Sequence, residues 1–67
     1  MSTPLCERVQ TDTDFDICIY QTNLDPPRYA VTTYDFVGQK HFDVVKFDNY
    51  RDALTELFSR KKSYSVP

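Results

Sequence analysis

At 67 residues, 40% hydrophobic and 27% charged, the chain is one domain near the lower limit for folding without disulfides or metals. It is too rich in apolar residues to be a disordered segment. A net charge of −2 argues against a dedicated nucleic-acid or membrane-surface binder. The sign is uneven, with six acids and two bases in residues 1–35 and four acids and six bases in residues 36–67.

The opening MSTPLCERVQ has neither a basic nor an apolar leader region, and no apolar run approaches the roughly 18 residues of a membrane span. Both features predict a cytoplasmic protein with no membrane partner. Cys6 and Cys18 have no second pair to form a zinc site or disulfide framework, so two reduced thiols are expected. Residues 1–13 lack clear periodicity and read as a flexible N-terminal arm, whose one candidate strand lies around Leu5 to Val9.

The ordered domain is expected over residues 14–63. In FDICIYQT, Phe15, Ile17 and Ile19 alternate with Asp16, Cys18 and Tyr20, a period-two strand. Asp25-Pro26-Pro27 ends it, because proline lacks a donor and restricts its neighbour. A second strand runs from Arg28 to Phe36, and VGQK is its turn, with Gly38 expected to take positive φ. HFDVVKF is the third strand.

The period then changes. Tyr50, Ala53, Leu54, Leu57, Phe58 and the stem of Lys61 form one helical stripe. Asp48 or Asn49 is placed to cap it, Asn49 and Asp52 have capping-box spacing, and Glu56 and Arg60 form an i, i+4 pair. Residues 64–67 read as a tail. The expected fold is α+β: a three-stranded antiparallel meander followed by one amphipathic C-terminal helix packed on one sheet face, with Leu54 and Leu57 against Ile17 and Ile19.

A single helix covers one face of a sheet, yet RYAVTTYDF carries rings and apolar groups on both. Either the arm folds beneath the second face through Leu5 and Val9, or another chain covers it. Which rings it presents depends on strand register, which a bulge near Gly38 would shift.

Chemistry is sparsely indicated. His41 is the only histidine and has no nucleophile near it in sequence, so no catalytic role and no cofactor are expected. DTDFDI begins like a calcium loop, but Ile17 stands where glycine is needed and Asn23 where glutamate is needed. The expected function is a non-catalytic regulator or inhibitor that binds a larger intracellular protein, with a homodimer as the other partnering mode. Its candidate interface residues are Tyr20, Tyr29, Tyr34 and Phe36, with the acids Asp12, Asp14 and Asp16.

RYAVTTYDFVG, a further strand and KFDNYRDALTELFSRKKS together resemble the WGR domain, a small sheet-plus-helix module of poly-ADP-ribose polymerases and bacterial relatives. The resemblance spans Arg28 to Ser63. Tyr34, Asp35 and Phe36 stand where that family has Trp, Gly and Arg, so its signature, including a cation used on DNA, is missing. Small phage-encoded inhibitors share the same helix-on-sheet pattern. The resemblance implies an alternative function in nucleic-acid binding. Lys40, Lys46, Arg60, Lys61 and Lys62 would meet phosphate there, and Tyr64 would stack on a base.

Overall fold

The structure, a computed structural model, describes residues 4–64. The expected ends of the arm and tail, residues 1–3 and 65–67, lie outside them. Four strands form one antiparallel sheet in chain order: β1 (Leu5–Gln10), β2 (Phe15–Leu24), β3 (Pro27–Asp35) and β4 (Lys40–Phe47). A single helix, α1 (Tyr50–Ser63), packs on one face.

The sheet therefore has four strands rather than the three expected. Residues 5–10 pair along β2, with Arg8 opposite Cys18 and Val9 opposite Ile17. The ladder continues outward as the Gln21 N–H donates to the Pro4 carbonyl at 3.0 Å. This is the candidate strand around Leu5 to Val9, and a register shift between Leu5 and Glu7 is why it lacks a clear period of two. Because of it, Cys6 and Val9, three residues apart, both pack towards the helix-side core. Residues 5–10 of the arm are thus an edge strand and do not lie beneath the second face.

Ile17, Ile19 and Val31 project from the central strands and are fully buried with Ala53 and Leu57 of α1. The helix begins at Asn49, whose Oδ1 accepts the Asp52 N–H at 2.9 Å while its Nδ2 donates to Asp52 Oδ2 at 2.9 Å. The first bond satisfies a backbone donor of the first turn, and the second joins the two side chains in place of the backbone bond of a full capping box. The buried stripe is narrower than expected: Ala53, Leu57 and Arg60 face the sheet, and Leu54 is half-buried at its margin. Phe58, expected in the stripe, is 59% exposed, because it lies about 100° around the helix from Leu57.

Two backbone positions also differ from expectation. Gly38 is not at positive φ; Gln39 (φ 54°) and Asp43 (φ 55°) are. Gly38 instead leaves room for a close approach, since a Cβ there would meet Asp35 Oδ2 at 2.8 Å. That carboxylate is held in the turn by its other oxygen, which accepts the Val37 N–H at 3.0 Å. The bulge that resets register lies within β4: Val31 pairs with Val45, but Thr33 pairs with Phe42. An aspartate can take the left-handed conformation this requires.

Candidate functional site

The face of the sheet away from α1 is built from alternate residues of all four strands. Cross-strand partners share a face, so the pairings place Arg8 and Gln10 of β1 beside Asp16, Cys18 and Tyr20 of β2. Arg28, Ala30, Thr32 and Tyr34 of β3 follow, and then His41 and Lys46 of β4. The centre of this face is small: Cys18 (1% exposed), Ala30 and Thr32 are buried although no helix covers them. Longer side chains from around them provide the cover.

Those side chains interlock. Asp16, 1% exposed, accepts from Arg8 Nε at 2.7 Å. This bond is the main reason the guanidinium's affinity for its proton rises. The Arg8 guanidinium carbon lies 5.7 Å from the Tyr34 ring centre and 5.5 Å from that of Phe36, within cation–π range. Tyr34 meets Phe36 edge-on at 5.2 Å and His41 at 4.8 Å, and Tyr20 meets His41 edge-on at 5.5 Å. His41 Nδ1 and Thr32 Oγ1 share a hydrogen bond of 2.9 Å. The second face is a pavement of rings and cations over a row of small residues.

Burial pushes the Cys18 thiol up from its ordinary 9.0, with the nearby Asp16 carboxylate adding to it and Arg8 opposing it. Burial likewise raises the Tyr20 and Tyr50 phenols above 10.0. Each of these groups is protonated more tightly when folded than when unfolded. Their contribution is therefore complete below about pH 9 and is lost as pH rises through the raised values. The thermal midpoint is expected to fall progressively above about pH 9, and Cys18→Ala should flatten the start of that fall. A midpoint insensitive to pH between 8 and 11, or the same slope in Cys18→Ala, would contradict this assignment.

Cys6 and Cys18 are both free, and they lie on opposite faces of the sheet: Cys6 packs towards the core, whereas Cys18 sits opposite Arg8. In native protein a thiol reagent should therefore modify Cys6 first, because it is the more exposed thiol and burial disfavours the Cys18 thiolate. Tyr20→Ala should speed Cys18 modification severalfold by uncovering it. Equal rates for both thiols in the unsubstituted protein would contradict the covered face.

The expected interface residues separate. Tyr20, Tyr34 and Phe36 come together on the second face, with Phe36 44% exposed at its turn end. Tyr29 lies on the helix side, edge-on to Tyr50 at 5.2 Å. Asp16 is internal, so it does not join Asp12 and Asp14, which remain exposed in the β1–β2 connection. The candidate phosphate-binding set is split as well. Arg60 is 7% exposed beneath α1, and the Tyr64 ring packs on Phe15 at 5.1 Å. Lys46 points from the second face, while Lys40 pairs across from Asp35, on the helix side of the sheet, and Lys61 and Lys62 are exposed on the last turn of α1.

Sequence reasoning missed Arg8, Thr32 and His41 as members of one surface. Among the described residues, no group of three or more His, Cys, Asp or Glu is arranged to hold a metal ion, and no helix is long and apolar enough to cross a membrane. Comparison with protein-family models, curated proteins and solved structures gives no match to this chain.

Proposed function

We propose that the protein is a non-catalytic binding module that regulates or inhibits a larger protein by docking on it through the second sheet face. The observation that carries this reading is the joining of Tyr20, Tyr34, His41 and a 44% exposed Phe36 into one ring surface opposite the helix. Aromatic residues flanked by arginine are the side chains that most often anchor protein interfaces. The two groups of this face most suited to chemistry are engaged structurally. His41 is bonded to Thr32, and the Cys18 thiol is buried and held protonated.

The test is photocross-linking in the cells that encode the protein, with a photoreactive side chain replacing Phe36 in one variant and the exposed Arg51 of α1 in another. A discrete heavier adduct is expected from position 36 and not from position 51. Identical products from both positions, or none from either, would sink the proposal. An adduct of twice the chain mass would make the partner a second copy instead of a larger protein.

A further inference from the structure

The charge on the second face is one-sided. Arg8, Arg28 and Lys46 lie on it; its one strand-borne acid, Asp16, is buried and already bonded to Arg8, and Arg28 lies 3.9 Å from the exposed Asp48 just past β4. The exposed Asp12 and Asp14 and the half-buried Asp35 are gathered at the opposite end, where the β1–β2 and β3–β4 connections meet. Between those two ends the face is left to Arg8 and Lys46.

Arg8 is the best-prepared of them. Its Nε is fixed by Asp16 and its guanidinium carbon lies over the Tyr34 and Phe36 rings, yet the side chain is 45% exposed. A guanidinium held this way presents a two-pronged edge that matches a carboxylate, with little side-chain freedom left to lose on binding. Lys46 on β4 and Arg8 on β1 are three strand spacings apart, roughly 14 Å, and their rows cross β3 at Ala30 and Thr32, two residues apart along the strand, for a separation of roughly 16 Å.

We propose that this face receives an extended acidic segment of a partner protein that crosses the strands, one carboxylate seated on the outer edge of Arg8 and a second on Lys46. The inference rests on the docking function above and names its partner's chemistry. Carboxylates four residues apart in an extended chain lie roughly 13 Å apart, and the long Arg8 and Lys46 side chains can close the remaining gap of a few ångströms. Phe36 supplies an apolar wall beside the first.

Two other occupants fit less well. A symmetric second copy would bring the Arg8 and Lys46 patch of one chain against the same patch of the other, because a two-fold interface uses the same patch on both sides. A nucleic acid would want open ring faces for its bases, but Tyr34 lies between Arg8 and His41, its neighbours from opposite edges of the sheet.

The experiment is a titration of isotope-labelled protein followed by NMR at the Arg8 side-chain Nε–H and the backbone amides of the second face. The probes are a blocked Glu-Val-Thr-Val-Glu peptide, its Gln-Val-Thr-Val-Gln counterpart and a ten-nucleotide single-stranded deoxythymidine oligomer. The glutamate peptide should shift the Arg8 signal and the Tyr34 and Phe36 amides, and bind at least tenfold more tightly than the other two. Arg8→Lys keeps the charge but removes the fork, and should weaken it tenfold or more. If Arg8→Lys disturbs the fold through Asp16, Lys46→Gln, at an exposed position, should still weaken binding severalfold.

Equal binding of the two peptides, no shift at several millimolar, or tighter binding of the oligomer would overturn the proposal. An adduct at position 36 in cells combined with silent peptides would leave the docking function standing and remove only its acidic partner. Loss of both results would remove both.

Discussion

Leu57→Ala is expected to lower the unfolding free energy by about 2–5 kcal/mol, the range for truncating a fully buried leucine. Leu57 is 0% exposed and belongs to the five-residue buried cluster with Ile17, Ile19, Val31 and Ala53. Its loss removes the largest helix residue of that cluster and leaves a space that the short Ala53 cannot fill. Chains of this size have about 3–10 kcal/mol to lose. The urea midpoint should therefore fall by a large fraction, and partial unfolding in plain buffer is within the expected range. Phe58→Ala supplies the contrast. Although Phe is the larger side chain, Phe58 is 59% exposed, so its truncation should cost about 1 kcal/mol or less. A Phe58→Ala cost larger than that of Leu57→Ala would place the wrong face of the helix on the sheet.

Glu56→Ala is expected to destabilise the protein by about 2–3 kcal/mol, and Arg60→Met by less than about 1 kcal/mol in either direction. Arg60 lies beneath the helix at 7% exposure. Its Nε donates to Glu56 Oε2 at 2.7 Å, and its Nη1 reaches the Val31 carbonyl at 3.4 Å and Thr33 Oγ1 at 3.3 Å. Nη2 is buried without a hydrogen-bond partner, and its nearest acid is Asp43 at 3.8 Å. Removing Glu56 leaves this buried cation with two long neutral hydrogen bonds and the exposed Asp43 at 3.8 Å, a costlier change than removing the partner of an exposed cation. Glu56 is itself about one-third exposed, at 34%, which keeps the expected cost below that of a fully buried pair. Methionine fills similar volume and brings no charge to desolvate. Denaturant midpoints of both variants check this. A harmless Glu56→Ala, or an Arg60→Met that unfolds the protein, would show that the guanidinium stabilises the fold through something other than Glu56.

Much of the core was legible because local patterns and tertiary packing agree. Phe15, Ile17 and Ile19 alternate in β2, and Asn49 with Asp52 marks the helix start. The edge strand was legible only as a candidate around Leu5 to Val9, and its place in the sheet was not, because the irregularity at Cys6 places two core-facing residues three apart and breaks the period. The membership of β4 in the second face was hidden by the bulge at Asp43. Sequence reading expects glycine at a positive-φ position, but Gln39 and Asp43 fill those positions and Gly38 does not. Arg60 reads as a dipole-complementing cation at a helix end. Its burial follows only once the position, three beyond Leu57, is seen to lie over the sheet beside Thr33. Arg8 sat in what reads as an arm, so its contacts with Asp16, Tyr34 and Phe36 became visible only when β1 was paired.

Whether the second face is a docking surface can be decided on one protein, Phe36→Ala, by measuring its thermal midpoint together with its capture of the partner that cross-links at position 36. Phe36 is 44% exposed, and its ring contacts are with Tyr34 and Arg8. Its removal should therefore cost less than about 1 kcal/mol, a shift of no more than about 4–8 °C in a domain of this size. An anchor residue at an interface is worth about 2 kcal/mol or more, so capture should weaken about thirtyfold. A midpoint lowered by well over 8 °C with capture unchanged would contradict the docking function and make the ring pavement part of the protein's own core.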